Sequence, residues 1–271
     1  MAAMASRALK VLLVLGLALV AYAAYEYTTL PEATPLLKKD PKTTALMEQR
    51  AEEARASGKK PRQRQYWVKL SNISKYAIDA VLLSEDAAFY LHEGVDKDEL
   101  EKAVEEAWKK KKLGRGASTI TQQLAKNLWL STDRSLLRKA KELVLAQRLE
   151  EALPKNRILT LYLNVVEWGN GVYGIEAGAR EHFGISAAQL SVAQGSILAA
   201  MLPAPRKRSP ASGSRALRKR AHWIVDQMVA VRRITGAQAE TAHTDIDTIL
   251  SGKKPAVPEE EEEDEDLGVP L

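Results

Sequence analysis

The sequence predicts a mainly α-helical domain preceded by a single N-terminal transmembrane helix. Apolar residues recur about every 3.6 positions over 136–153, the period of an amphipathic helix. The segment 187–201 is almost entirely apolar or small, as expected of a buried helix. Between 66 and 234, alternating apolar and polar strand patterns are scarce, so little β-structure is expected.

The ends of these helical segments carry their own signals. Pro154 closes the segment 136–153. Ser186 is placed to cap the helix predicted at 187–201. A further amphipathic helix fits 214–233, before Gly236.

The N-terminus contains an apolar stretch preceded by positive charge. Residues 8–25 are long enough to span a bilayer if Lys10 extends toward the headgroups. The alternative is a cleaved signal peptide, because residues 21–23 fit a small-x-small cleavage site. Either interpretation leaves 1–7 in the cytoplasm and exports the rest of the chain.

Composition divides the remainder into three parts. Residues 26–65 lack a sustained apolar face and are predicted to be a stalk or linker, with at most a short polar helix. The helical domain is expected at 66–235. Residues 236–271, which contain eight consecutive acidic residues at 259–266, are predicted to be a disordered acidic tail.

Charge and cysteine content exclude several classes of function. Without the acidic run, 40 Lys and Arg face 27 Asp and Glu, so the body of the protein should have an anionic partner. Nucleic acid is disfavoured, because the chain is exported and has no recognisable reader motif. The chain has no Cys, which rules out disulfides, thiolate zinc sites and cysteine nucleophiles.

Other short matches lack the context that their chemistry needs. The G-x-G-x-x-G pattern at 169–174 has no surrounding βαβ unit and no acidic residue about 20 positions on. Two S-x-x-K matches, at 57–60 and 251–254, lie in polar segments without partner motifs. The four histidines lack close ligand spacing, so no metal-ligating residue is predicted.

Two carboxylates and a polar loop are candidates for catalysis. Glu85 and Asp86 follow an apolar stretch, where burial suits a general acid or base, although a helix-end charge pair is an equal alternative. The Gly-rich segment 114–123 could close over a polar ligand or could be an ordinary capped helix start. Glu142 follows Arg138 by one helical turn, which fits either a simple salt bridge or a second catalytic carboxylate.

Five motifs in order give these residues a shared interpretation. E-D-x-x-F-x-x-H-x-G is matched by Glu85, Asp86, Phe89, His92 and Gly94. G-x-S-T-x-x-Q-Q is matched by Gly116, Ser118, Thr119, Gln122 and Gln123. R-K-x-x-E is matched by Arg138, Lys139 and Glu142, and K-x-x-I-L-x-x-Y-L-N by Lys155, Ile158, Leu159, Tyr162, Leu163 and Asn164. The fifth motif is the glycine-rich segment 169–184. Together they resemble the bacterial peptidoglycan glycosyltransferases, glycosyltransferase family 51, and most closely the monofunctional biosynthetic type.

The resemblance implies a lysozyme-like helical glycosyltransferase domain with a small membrane-facing jaw between the first two motifs. The implied substrates are lipid II and the lipid-linked glycan chain, joined by β-1,4 linkage with release of polyprenyl pyrophosphate. Glu85 matches the catalytic base and Glu142 the second essential carboxylate. The residues implied to bind substrate are Asp86, His92, Ser118, Thr119, Gln122, Gln123, Lys126, Arg134, Arg138, Lys139 and Lys155.

The resemblance also implies a setting for the enzyme. It requires no obligatory cofactor, although a divalent cation, Mg²⁺ or Mn²⁺, would help to bind the pyrophosphate. The catalytic domain would lie on the extracytoplasmic face of the bacterial inner membrane, with penicillin-binding transpeptidases and other cell-wall proteins as partners. Two alternatives remain open, namely a lysozyme-like enzyme that cleaves peptidoglycan and a non-catalytic membrane-anchored scaffold.

Overall fold

The computed structural model describes residues 2–99, 101, 105, 118–133 and 135–252, and within them the fold is mainly helical, as predicted. The helices are α1 (Ala2–Thr29), α2 (Ala45–Ala56), α3 (Lys75–Glu85), α4 (Ile120–Trp129), α5 (Leu136–Ala152), α6 (Lys155–Val165), α7 (Ile175–Phe183), α8 (Val192–Met201), α9 (Arg215–Ala230) and α10 (Gly236–Leu250). The strands are β1 (Arg64–Gln65), β2 (Glu167–Gly169) and β3 (Val172–Tyr173). Most of the segment between the first two motifs, where the jaw is expected, lies outside the described residues.

Helix α1 is long and apolar enough to cross a membrane, and its apolar side chains from Leu12 onward are exposed. Its 28 residues correspond to about 42 Å of helix, which exceeds the hydrocarbon thickness of a bilayer. The C-terminal end of α1 is attached to α5. Glu26 pairs with Lys141 at 2.5 Å, and Arg148 donates to the Tyr27 carbonyl at 2.8 Å.

The prediction of a stalk at 26–65 is wrong, because this region packs onto the domain. Thr44 caps α2, in which Leu46 and Met47 are buried, and Met47 joins the domain core where α2 packs beside α4. Only the first turn of α2 is buried, and a window over the whole segment therefore shows no sustained apolar face.

The core is built around α8, which packs against α3, α9 and α10. Gly195 allows α3 and α8 to approach closely, since a Cβ at this position would lie 2.8 Å from the Cα of Ala77. The helix predicted at 187–201 is divided in two. Ser186 caps a 3₁₀ turn, and α8 itself begins after Ser191, which forms a capping box with Gln194.

The three strands form a small sheet in the order β1–β3–β2, with β1 parallel and β2 antiparallel to β3. Gly171 connects β2 to β3 with a φ of +69°, and a Cβ there would lie 2.3 Å from the Arg62 carbonyl oxygen. The glycines of the 169–174 pattern therefore serve a tight turn and close backbone packing.

The predicted disordered tail begins too early. Residues 236–250 form α10, which has a capping box between Thr235 and Gln238 and buries Ile246 and Leu250. The helix is stabilised by packing on α8 and α9, which a compositional argument does not take into account. The acidic run at 259–266 lies outside the described residues.

Candidate functional site

The candidate site is formed where the C-terminal end of α3, the N-terminal half of α4 and the first half of α5 meet. Lys139 of α5 donates to Ser118 Oγ and to Gln122 Oε1, both at 3.1 Å. Gln123 of α4 donates to Glu85 Oε2 at 3.0 Å. Gln123 also donates to the Ser118 carbonyl oxygen at 3.5 Å, which joins these contacts, from three separate motifs, in one polar network.

Glu85 is the last residue of α3 and is partly buried. The carbonyl end of a helix disfavours a carboxylate, so this side chain needs hydrogen-bond donors. Both of its oxygens accept hydrogen bonds, Oε2 from Gln123 at 3.0 Å and Oε1 from the Ser84 hydroxyl at 3.2 Å. The carboxylate is thus oriented while retaining lone pairs that can accept a further proton.

Two residues on other helices form hydrogen bonds with Gln123 and Ser84, the two donors to Glu85. The buried Tyr162 hydroxyl of α6 donates to Gln123 Oε1 at 3.0 Å. Arg220 of α9 donates to the Ser84 carbonyl at 2.9 Å and stacks on Trp223 at 4.0 Å. Sequence reasoning assigned no role to Tyr162, although it lies in a motif, and missed Arg220 entirely, because no motif contains it.

Glu142 is buried, with 3% of its surface exposed, and accepts hydrogen bonds from two cations. Arg138, one turn earlier on α5, donates to Oε2 at 2.5 Å, and Lys139 donates to Oε1. A buried carboxylate between two cations is compensated in charge and holds both cations in place. The salt bridge that was one of the two alternatives for this pair therefore exists, and it lies within the candidate site.

Lys126 of α4 lies near this cluster, yet its ammonium group makes no hydrogen bond or ion pair with any described residue. Burial lowers the pKa of Lys126, and the charges of Arg138 and Lys139 act in the same direction. Glu142 and Glu85 oppose this shift. A partly buried cation without a fixed partner is suited to bind an anion from outside.

Other candidate residues connect the segment 86–94 to α4. Asp86 accepts from the Ile120 amide at 2.9 Å and contacts His92 Nε2 at 2.9 Å. Burial raises the pKa of Asp86, and the contact with His92 opposes that shift. Thr119 caps α4 and donates to the Gly94 carbonyl at 2.6 Å. These bonds favour a positioning role over direct substrate contact.

Lys155 has two partners of its own. It pairs with Glu150 at 2.8 Å and lies 4.6 Å from the centre of the Phe89 ring. Glu150 in turn accepts from Thr121 at 2.6 Å, so the pair connects α5, α6 and α4. Lys155 therefore has a structural role in connecting these helices, whereas Lys126 has no such partner among the described residues.

Some expectations lie beyond what the structure tests. Arg134, expected to bind the leaving group, is outside the described residues, as is Gly116 of the second motif. In the part of the chain that the structure describes, no group of three or more His, Asp or Glu side chains is arranged to hold a metal ion. The contribution of a divalent cation stays a prediction.

Comparison with known proteins identifies the family. The model of the family described as "Transglycosylase" matches residues 51–229. The biosynthetic peptidoglycan transglycosylase of Herminiimonas arsenicoxydans is 45% identical over 189 residues, covering 70% of this chain and 82% of that protein. The protein of the same name from Methylobacillus flagellatus is 41% identical over 212 residues, covering 78% and 93%, and that from Bordetella pertussis is 49% identical over 172 residues, covering 62% and 71%.

Among solved structures, penicillin-binding protein 1A from Haemophilus influenzae matches with 19% identity and a TM-score of 0.38. The match covers 68% of this chain and 18% of that one. The family match covers about two thirds of the chain and contains every motif residue that forms the polar network. The chain therefore belongs to the transglycosylase family, as its five motifs indicate.

Proposed function

We propose that this protein polymerises lipid II into β-1,4-linked glycan strands for the bacterial cell wall and releases polyprenyl pyrophosphate. The observation that carries the proposal is the polar network that joins an oriented carboxylate, Glu85, to the cations around Glu142. Such a pair of functions is what glycosyl transfer from a pyrophosphate donor needs, because one group accepts a proton and the others bind an anion.

Glu85 acts as the general base. It removes the proton from the acceptor 4-hydroxyl while that oxygen forms a bond to the anomeric carbon of the donor. The bond between the anomeric carbon and the pyrophosphate oxygen breaks, and the pyrophosphate leaves with the electron pair. General base catalysis of this kind contributes about 10²- to 10⁴-fold to the rate.

The leaving pyrophosphate is bound by cations. Lys126 contributes an ammonium group with no partner among the described residues, and Arg138 contributes a guanidinium group held in place by Glu142. Arg134, whose position the structure does not describe, is proposed as a third. Charge-assisted hydrogen bonds from such groups are stronger than neutral ones and act on the charge that develops during the reaction. Mg²⁺ or Mn²⁺ bound to the pyrophosphate would add to this effect.

The attachment of α1 to α5 supports a location at the membrane surface. Helix α1 is proposed to cross the inner membrane, with the positive N-terminus inside and the domain on the extracytoplasmic face. Arg148 and Lys141 fix the end of α1 to the helix that also carries Glu142. The site thus remains near a substrate tethered to the same bilayer, which raises its effective concentration. The transpeptidases that cross-link the strands are proposed as partners.

Polymerisation of labelled lipid II by the detergent-solubilised full chain tests the proposal. Glu85→Gln keeps the size of the side chain and removes the base, so we expect polymer from wild type and almost none from the variant. Glu240→Gln is the matched control, because Glu240 is exposed on α10, a helix without site residues. Reactions with EDTA, Mg²⁺ and Mn²⁺ measure the contribution of the cation.

The products distinguish synthesis from the alternatives. Lipid-linked polymer that lengthens with time supports the proposal. Lipid-free fragments released from a preformed glycan would instead indicate cleavage. A folded wild-type protein that makes no polymer with any cation would favour a scaffold and overturn the proposal.

A further inference from the structure

We propose that Tyr162 is a positioning residue that fixes the Glu85 carboxylate by setting the orientation of the Gln123 amide. The inference rests on the proposed role of Glu85 as general base. Three side chains from α6, α4 and α3 form a chain of hydrogen bonds, from the Tyr162 hydroxyl to Gln123 Oε1 at 3.0 Å and from Gln123 Nε2 to Glu85 Oε2 at 3.0 Å.

The chemistry of the groups determines the direction of this chain. An ionised carboxylate only accepts hydrogen bonds, so Gln123 must present its NH₂ group to Glu85. Its carbonyl oxygen then faces Tyr162, and the tyrosine must donate. If Gln123 were flipped, its oxygen would face the carboxylate and two acceptors would meet.

Tyr162 is suited to remain a donor. Its side chain is fully buried in α6, which packs against α4. Burial raises the pKa of Tyr162 well above its usual range, and the nearby charges of Glu85 and Asp86 act in the same direction. The hydroxyl therefore keeps its proton over the whole pH range in which the enzyme can be assayed.

Tyr173 provides a matched comparison. It is also buried, with 1% of its surface exposed, but its hydroxyl has no hydrogen-bond partner among the described residues. It lies on β3, which contributes nothing to the polar network. Tyr173→Phe thus removes a buried hydroxyl without removing a hydrogen bond, whereas Tyr162→Phe removes one that acts on the proposed base.

The test compares Tyr162→Phe with Tyr173→Phe in the full chain, using initial rates of lipid II polymerisation. We expect Tyr162→Phe to lower kcat about tenfold with KM unchanged, a loss that corresponds to one hydrogen bond. Tyr173→Phe should leave both constants unchanged. An unchanged kcat in Tyr162→Phe, or an equal loss in both variants, would overturn the inference.

A double-mutant cycle separates positioning from general packing. If Tyr162 acts only through Gln123, Tyr162→Phe causes no further loss of kcat in a Gln123→Ala background. Losses that multiply would show that Tyr162 acts independently of Gln123, and the inference would fall. Glu85→Gln is assayed in parallel, so an active Glu85→Gln variant refutes the proposed base while the cycle still reports on the contact.

A measurement without turnover keeps the inference testable if the wild type is inactive. Hydrogen exchange at the Gln123 side-chain amide, assigned by NMR with Gln123→Ala as the reference, reports the contact itself. We expect the exchange to be at least several-fold faster in Tyr162→Phe than in wild type or Tyr173→Phe. Equal exchange in all three proteins would contradict the proposed chain of hydrogen bonds.

Discussion

Lys126→Met is expected to stabilise the protein while inactivating it. Lys126 holds a positive charge in a partly buried position without a hydrogen-bond partner among the described residues. Methionine keeps an unbranched side chain of similar length and removes the charge. If Lys126 is kept for binding an anion, folding and catalysis should respond to this change in opposite directions.

The sign of the stability effect follows from the pKa of Lys126. Burial is the largest influence and lowers this pKa, while two nearby anions and two nearby cations oppose one another. The folded chain therefore binds this proton more weakly than the unfolded chain does. The resulting cost to folding is present in full at pH values below the folded-state pKa and is relieved as pH rises through that pKa toward the ordinary value of 10.5.

The magnitude is modest because Lys126 keeps some contact with water. We expect Lys126→Met to gain up to about 1 kcal/mol at pH 7, or about 2–4 °C in Tm for a domain of this size. The gain should shrink as the pH approaches 10.5. Activity should fall about 10²- to 10³-fold, the usual effect of removing one group that stabilises developing charge.

Thermal unfolding in detergent, at pH 7 and at higher pH, and the lipid II assay measure the two effects. Lys155→Met is the control for stability, because Lys155 is paired with Glu150 and lies over the Phe89 ring. Its removal leaves a carboxylate without its cation and should lower Tm. A lower Tm in Lys126→Met, or retained activity, would refute the assignment of Lys126 as a free anion-binding group.

Three further changes test the supports of the site and the fold. Arg220→Gln should lower kcat about tenfold, because it removes the hydrogen bond to the Ser84 carbonyl. Arg220→Lys retains the charge and should give an intermediate kcat. A wild-type kcat in Arg220→Gln would show that Arg220 does not help to position Ser84. Gly195→Ala should lower the free energy of unfolding by about 1–3 kcal/mol, since the added methyl group meets the Ala77 backbone, and unchanged urea unfolding would contradict that contact. Ile246→Ala should cost about 2–5 kcal/mol, measured in the same way, whereas an unchanged midpoint would show that α10 is not part of the core.

Local pattern was sufficient for the strongest helices and for the choice of candidate site residues. The period at 136–153 corresponds to α5 within a residue at each end, because amphipathic spacing and a following proline act within the segment itself. The amphipathic pattern at 214–233 also corresponds to a helix, α9, which Ser214 caps and which ends at Ala230, three residues earlier than predicted. The order of the motifs indicated the family and identified Glu85, Glu142 and the basic residues near them as candidates. This was possible because proton transfer and anion binding each require a particular type of side chain.

Tertiary structure decided which weak segments fold and how the site is held. Helices α2 and α10 were predicted as a linker and a tail, because each is stabilised by burial against distant helices and has little local signal. The orientation of Gln123 depends on Tyr162, 39 positions away, and the support of Ser84 depends on Arg220, 136 positions away. Periodicity and motifs report neighbours along the chain, whereas these hydrogen bonds exist only after α3, α4, α6 and α9 have packed together.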